Sequence, residues 1–422
     1  MNKLTIKIAT AVSSAALIVS SFATPLLATT VEVTGNGAGS DSTANVSQST
    51  TTTVTQTNDA NISNSVNVSA NTGGNDANKN TGGDVSIETG DSSANVEVAN
   101  SANSNKAEVS GCCASGLNVK IAGNGAYSDN DANVKTNNNV VVDQDNTAKI
   151  NNKVNVGQST GDNDANKNTG GDVAIETGDA DATVKVSNEA NSNWAAVTAG
   201  PNGGGVMSVE ISGNGANSDN DANVSLSTNK NIDQNNYANI GNLIGVVSNT
   251  GNNDANKNTG GEVSIKTGDA DANVEVSNMA NFNAAHLEGC GCISDLLVKI
   301  AGNGADSDND ANVSLSSVAV VDQDNTFKCG GRRHPGLFEI LGSNGRSGNC
   351  ADVSVGADTG NNDVNSNTTS NGDPSVETGD ASADVVIENM ANENIVGNVG
   401  IDWPGHSSGS SSLLLLLLAF FS

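Results

Sequence analysis

The string TGGDVAIETGDADATVKV (residues 169–186) is nearly repeated as TGGDVSIETGDSSANVEV (81–98) and as TGGEVSIKTGDADANVEV (259–276). A fourth, altered copy reads TSNGDPSVETGDASADVVI (369–387). Self-similarity on this scale identifies a repeat architecture before any single motif is considered. Working outward, a Gly-Asn-Gly turn opens each copy, at Gly35, Gly123, Gly213 and Gly302. It leads into GNGAGSDSTANV, GNGAYSDNDANV, GNGANSDNDANV and GNGADSDNDANV. Later in each copy come TGGNDANKN, TGDNDANKN, TGNNDANKN and TGNNDVNSN. The chain therefore divides into four tandem units of about 89 residues: 29–120, 121–210, 211–299 and 300–400. Residues 1–28 precede them and 401–422 follow.

Between the turns the apolar residues alternate. Ala222, Val224, Leu226, Ile232, Ala238, Ile240, Ile244 and Val246 share one parity, and so do Ala272, Val274, Val276, Ala280, Phe282 and Ala284. Period-two alternation broken by Gly and Asn marks half-buried strands. Gln234, Asn236 and Asn278 fall on the inward parity. Lone buried amides are costly, but amides stacked over their equivalents can bond along a ladder. The expected fold class is all-β: an elongated β-solenoid or β-helix-like repeat array. With rungs of roughly 20 residues it would form a rod on the order of 90 Å long. The alternative is a string of β-sandwich beads, because 89 residues is also the size of an Ig-like domain. A sandwich wants a thick core with a buried Trp, whereas Trp194 and Trp403 sit at non-equivalent positions. Pro374 replaces the Val85, Val173 and Val263 of the other copies. Proline cannot donate to a ladder, so this copy is where a stack should stop accepting strands.

Composition narrows the function. Only 2% of the residues are aromatic, and the formal net charge is −29. A core of small residues can be thin but not thick. The acidic balance argues against nucleic acid or an anionic membrane as partner, since phosphate contacts need Lys and Arg. MNKLTIK followed by IATAVSSAALIVSSFA reads as a secretory signal, residues 1–28, with Ala23 or Ala28 at the cleavage site. The expected location is secreted or extracellular, with cell-surface attachment as a variant. The apolar tail Leu413–Phe421 is shorter than the roughly 20 residues of a spanning helix. Membrane attachment is expected only if that tail is a truncated anchor.

Chemistry-bearing motifs are few. His286, His334 and His406 sit in no metalloprotease pattern, and no nucleophile elbow or P-loop is present. The many Asp residues recur in register in each unit, whereas an active site is normally built once. The chain is not expected to be an enzyme, and a polysaccharide-active β-helix is the least favoured of the rivals. The SDND segments place Asp129 with Asp131, Asp219 with Asp221, and Asp308 with Asp310; Asp306 extends the last. Alternate carboxylates in a turn supply the hard oxygens that calcium prefers. Calcium is thus the one candidate cofactor, against a plain role for these residues as turn formers.

Six cysteines in an exported chain favour disulfides. Cys112, Cys113, Cys290 and Cys292 lie at equivalent junctions, and their pairing stays open. Aligning DQDNTFKC with DQDNTAKI puts Cys329 and Cys350 on the neighbouring repeat positions Ile150 and Asn151, with residues 330–349 inserted between them. A Cys329–Cys350 bridge would staple the insert. The insert carries every arginine of the chain, Arg332, Arg333 and Arg346, together with His334, Phe338 and Ile340. Planar guanidinium groups suit carboxylate capture, so this is the candidate binding loop. It would bind an acidic partner or dock onto the chain's own acidic face.

VTQTNDANISNSVNV (54–68), VVDQDNTAKINNKVNV (141–156) and NIDQNNYANIGNLIGVV (231–247) resemble the V-x-Q-x-x-N-x-A-x-V rhythm of curlin, the curli fibre subunit. More broadly, the chain resembles repeat-rich secreted surface proteins of bacteria. That resemblance implies a structural or adhesive role as stalk, adhesin or fibre component, with a surface ligand or other copies of the chain as partner. A calcium-dependent binding module is the alternative.

Overall fold

The computed structural model describes residues 2–12, 19–22, 29–110, 116–198, 205–287, 293–330, 350–370 and 372–397. Two N-terminal strands, β1 (Asn2–Val12) and β2 (Val19–Phe22), precede the repeats. The first unit contains β3 (Thr29–Thr34), β4 (Asp41–Asn71), β5 (Val85–Glu88) and β6 (Ser92–Ser110). The short strand before each Gly-Asn-Gly turn belongs to the layer that follows it, which moves the unit starts expected at 121, 211 and 300 back by several residues; the second unit then contains β7 (Leu117–Ala122), β8 (Asp129–Ser159), β9 (Val173–Glu176) and β10 (Ala180–Thr198). The third has β11 (Gly205–Ser212), β12 (Asp219–Asn249), the short β13 (Thr259–Gly260), β14 (Val263–Lys266) and β15 (Ala270–Leu287). The fourth has β16 (Ile293–Ala301), β17 (Asp308–Cys329), β18 (Ala351–Asp358), β19 (Thr368–Thr369), β20 (Ser375–Glu377) and β21 (Ala381–Val396).

The described chain is all-β and its sheets are parallel. Every pairing among the described strands of the four units joins a strand to its equivalent in a neighbouring unit, and none joins two strands of one unit; the N-terminal β1 and β2 add to the β6 edge. The sheet orders are β3-β7-β11-β16, β4-β8-β12-β17, β5-β9-β14-β20 and β1-β6-β10-β15-β21, with β18 also on β12 and β2 on β6. This excludes the bead arrangement, in which each unit would pair its own strands. It also corrects the expected rung length. Asn64 lies beside Asn152 and Asn152 beside Asn242, offsets of 88 and 90 residues. A layer is a whole unit, so four units make a stack about 19 Å high rather than a 90 Å rod. A rung of about 20 residues requires each turn to close a coil. The turns instead bend the chain within one plane.

Each layer folds back on itself so that two walls face each other across the core without pairing. Along the long strand, Ala132 and Val134 face Leu117, Val119 and Ile121 of the short strand before the turn. Further along, Val54 faces Ala107 and Val109, and Ala60 and Ile62 face Ala102. At the far end Val66 and Val68 meet Ala94, Val96 and Val98. The core is thus one side chain deep from each wall, which is why Ala, Val and Ile suffice to fill it. Ala222, Val224, Leu226, Ile232, Ala238, Ile240, Ile244 and Val246 are all buried, as their alternation requires.

Phe282 departs from the expected pattern and is only half-buried. The preceding residue explains it. Asn103, Asn191, Asn281 and Asn392 occupy one column at φ 61, 62, 63 and 66°. Asn tolerates this left-handed conformation better than other side chains. One such residue advances the alternation by a step, so that Asn283 and Ala285 turn inward and Phe282 turns out.

Stacking identical layers also fixes where a side chain cannot exist. A Cβ on Gly161 would run into the carbonyl oxygen of Gly251 in the next layer. Overpacking of this kind costs about 1–3 kcal/mol. Gly161→Ala should therefore lower stability in urea denaturation by that amount. Gly157→Ala, where nothing lies within 4 Å, should change it by less than about 0.5 kcal/mol.

Candidate functional site

The polar side chains gather into columns that run through the layers. Asn64, Asn152 and Asn242 project from the long strands, and Asn100, Asn188 and Asn278 from the strands opposite. Asn188 Nδ2 donates to Asn242 Oδ1 across the core at 3.1 Å and to Asn278 Oδ1 in the next layer at 2.7 Å. Its own Oδ1 accepts from Asn100 at 2.7 Å and from Asn152 at 2.9 Å. A second double column has the same design: Asn193 Nδ2 donates to Asn236 at 3.0 Å and to Asn283 at 3.1 Å. Gln56, Gln144, Gln234 and Gln323 form a third, at 2.6, 2.8 and 2.7 Å. Asn188 and Asn193 are buried, yet both amide protons and the carbonyl are used. Every such amide ties two walls and two layers together.

Carboxylates stack by the same register, with the opposite consequence. Asp219 pairs with Asp129 on one side and Asp308 on the other, and Asp221 with Asp131 and Asp310. These SDND residues open the long strands rather than lying in the turn. Only Asp306 stands in the turn, at φ 56°. Among the described residues, no group of three or more His, Cys, Asp or Glu converges to hold a metal ion. Burial raises the Asp131 carboxyl above its ordinary value, and the charges of Asp129, Asp41 and Asp219 raise it further. Asp221 is raised by burial and then by Asp219, Asp131, Asp310 and Asp129. Sequence reading passed over three further columns. Asp143 is raised by burial and then by Asp145 and Asp233; Asp164 by burial and then by Asp254 and Asp76; Asp181 by burial and then by Asp271 and its neighbours. The i to i+88 or i+90 equivalence would have exposed them, had one unit been taken as one layer.

The staple is present. Cys329 and Cys350 are disulfide-bonded across a separation of 21 residues. Cys329 lies beside Ile240 and Ala351 beside Asn242, so the insert leaves and rejoins the strand at a single register position. Closing such a loop contributes about 3 kcal/mol. Residues 331–349, with Arg332, Arg333, His334, Phe338, Ile340 and Arg346, lie outside the described residues, as do Cys112, Cys113, Cys290, Cys292 and the apolar tail. The strands β1 and β2 fall within the expected signal segment. No protein-family model, no curated protein and no solved structure matches this chain.

Two outcomes follow. Asn188→Val removes four amide bonds and strands their buried partners. At about 1–3 kcal/mol for each unsatisfied group, it should cost at least about 3 kcal/mol by urea denaturation. Asn133→Ala, in the outward ladder to Asn45, should cost about 0.5 kcal/mol.

The second concerns pH. The ordinary value of these Asp carboxyls is 3.8, and the fold raises them. Protonation therefore favours folding: the stabilisation is complete below 3.8 and is lost as pH rises through the raised values. Glu210 opposes this weakly, since the hydrogen bond from Lys299 lowers it. The urea midpoint should be higher at about pH 4.5 than at about pH 7, and added salt should narrow the gap.

Proposed function

We propose that the chain is a secreted or cell-surface structural protein, a stalk, adhesin or fibre component built as a β-solenoid whose coil is one whole unit. The observation that carries this reading is the spending of the repeated residues on contacts between layers. Asn64, Asn100, Asn152 and Asn188 bond to one another and onward to the next unit. A chain that presents the same side chains at every level suits mechanical spacing and repetitive display. Residues 1–28 direct export, and the stapled insert, which holds all the arginines of the sequence, is the candidate binding loop. The resemblance to curlin and to repeat-rich bacterial surface proteins supports the same role.

A second reading, a calcium-dependent binding module, draws support from the carboxylate columns at Asp131, Asp221, Asp143 and Asp233, whose mutual repulsion a bound cation would relieve.

Antibody labelling of intact cells of the source organism tests the first reading. Surface signal, with a mature N-terminus after Ala23 or Ala28, is expected. Protein confined to the cytoplasm with Met1 retained contradicts it. Melting with calcium and with chelator tests the second. A rise in Tm with calcium that is lost in Asp219→Asn/Asp221→Asn supports it, and an unchanged Tm contradicts it.

A further inference from the structure

The two ends of the stack are not alike. Leu315 is 66% exposed, whereas its third-unit equivalent Leu226 is 8% exposed. Val385 is 45% exposed against 3% for Val274. Val313, Val376 and Val396 behave in the same way. These are inward positions of the repeat, and among the described residues no layer lies above them. At the other end Ala44, Val54, Ile62, Val66 and Ala94 are buried already. Part of the cover there comes from the N-terminal segment. β1 pairs along β6 from Asn2 beside Ser92 to Val12 beside Ala102, and β2 pairs Val19 to Phe22 with Ala107 to Ser110. This is the place that the last strand of a preceding unit would fill. Ile6 packs against the Val96–Val98 core, and Lys7 Nζ lies 2.9 Å from Glu97 Oε2.

Charge also makes the ends complementary. Glu32, Lys120, Glu210 and Lys299 form one column, one residue per layer. Their signs alternate, with Lys120 3.6 Å from Glu32 and Lys299 3.0 Å from Glu210. The column begins on an anion and ends on a cation. A second copy placed in the same register would set its Glu32 against Lys299 of the first. The amide columns are directional too. Asn58 donates to Asn146, Asn146 to Asn236 and Asn236 to Asn325, so the fourth unit ends where the first unit of another copy can continue.

We propose that the fourth unit docks on the first unit of a second copy, extending the stack head to tail, and that the N-terminal segment blocks this by occupying the β6 edge until it is removed. The inference deepens the structural reading above and rests on its assignment of residues 1–28. Growth runs through β17 on β4 and β21 on β6. Pro374, expected from the sequence to end the stack, weakens only the β20 segment. Val85 and Val173 each donate a backbone proton to the next layer, and Pro374 has none to give.

The test uses the full chain with a site-specific protease site placed between Ala28 and Thr29. Uncut, it should sediment as a monomer. After cleavage and removal of the released peptide by gel filtration, it should form filaments with a meridional spacing of about 4.8 Å. Excess peptide 1–28 should suppress growth. Leu315→Asp/Val385→Asp, at positions exposed in the monomer, should abolish filaments while leaving circular dichroism and Tm unchanged. A cut chain that stays monomeric at high concentration overturns the proposal. So does filament formation undiminished by the double variant, which would mean that another surface, the 330–349 insert or the C-terminal tail included, drives association. Filaments after cutting in vitro, from a protein whose cells retain residues 1–28, would uphold the docking and refute the export reading alone.

Discussion

Everything in this molecule depends on one geometric constraint, that each residue lies directly beside its own equivalent in the next unit. In a parallel, in-register stack the partner of an amide is another amide, and the partner of a carboxylate is another carboxylate. The first pairing satisfies itself. An Asn side chain has two donor protons and one carbonyl, and the columns at Asn152 and Asn188 use all of them in two directions. A buried polar core, ordinarily a liability, becomes the joint that fixes register. Slipping one unit against the next by a single residue would leave these groups unpartnered inside the core.

The same constraint works against the acids. The columns through Asp131 and Asp221 and through Asp164 take carboxylates partly out of water and also stack like charge on like charge. The chain relieves the conflict where it varies its units. Lys120 and Lys299 alternate with Glu32 and Glu210, and Lys185 lies 3.3 Å from Glu275. At these positions the difference between units sets opposite charges side by side where identical residues would repel. The fourth unit differs for another reason. It carries Pro374 and the stapled insert at the layer above which no further described strand pairs.

Much of this was legible in the chain. The alternation around Ala222–Val246 placed the inward face correctly, the inward Gln234, Asn236 and Asn278 pointed to ladders, and the alignment of Cys329 with Ile150 located the disulfide. Layer size was not legible. A turn such as Gly-Asn-Gly looks the same whether it closes a coil or bends a strand within a plane, and only long-range pairing distinguishes the two. The left-handed Asn281 was invisible for a related reason, since nothing local separates a strand Asn from one that shifts the alternation. The carboxylate columns were hidden by the layer size, because their members are a whole unit apart.

The distance between equivalent outward residues in successive units distinguishes one unit per layer from a shorter rung. Nitroxide labels at positions 133 and 223, introduced through bio-orthogonal side chains, report it by electron paramagnetic resonance. One unit per layer predicts backbones about 5 Å apart and strong spin exchange between the labels. Spectra of isolated spins, or a separation of about 20 Å as in a coil of 20-residue rungs, would contradict it.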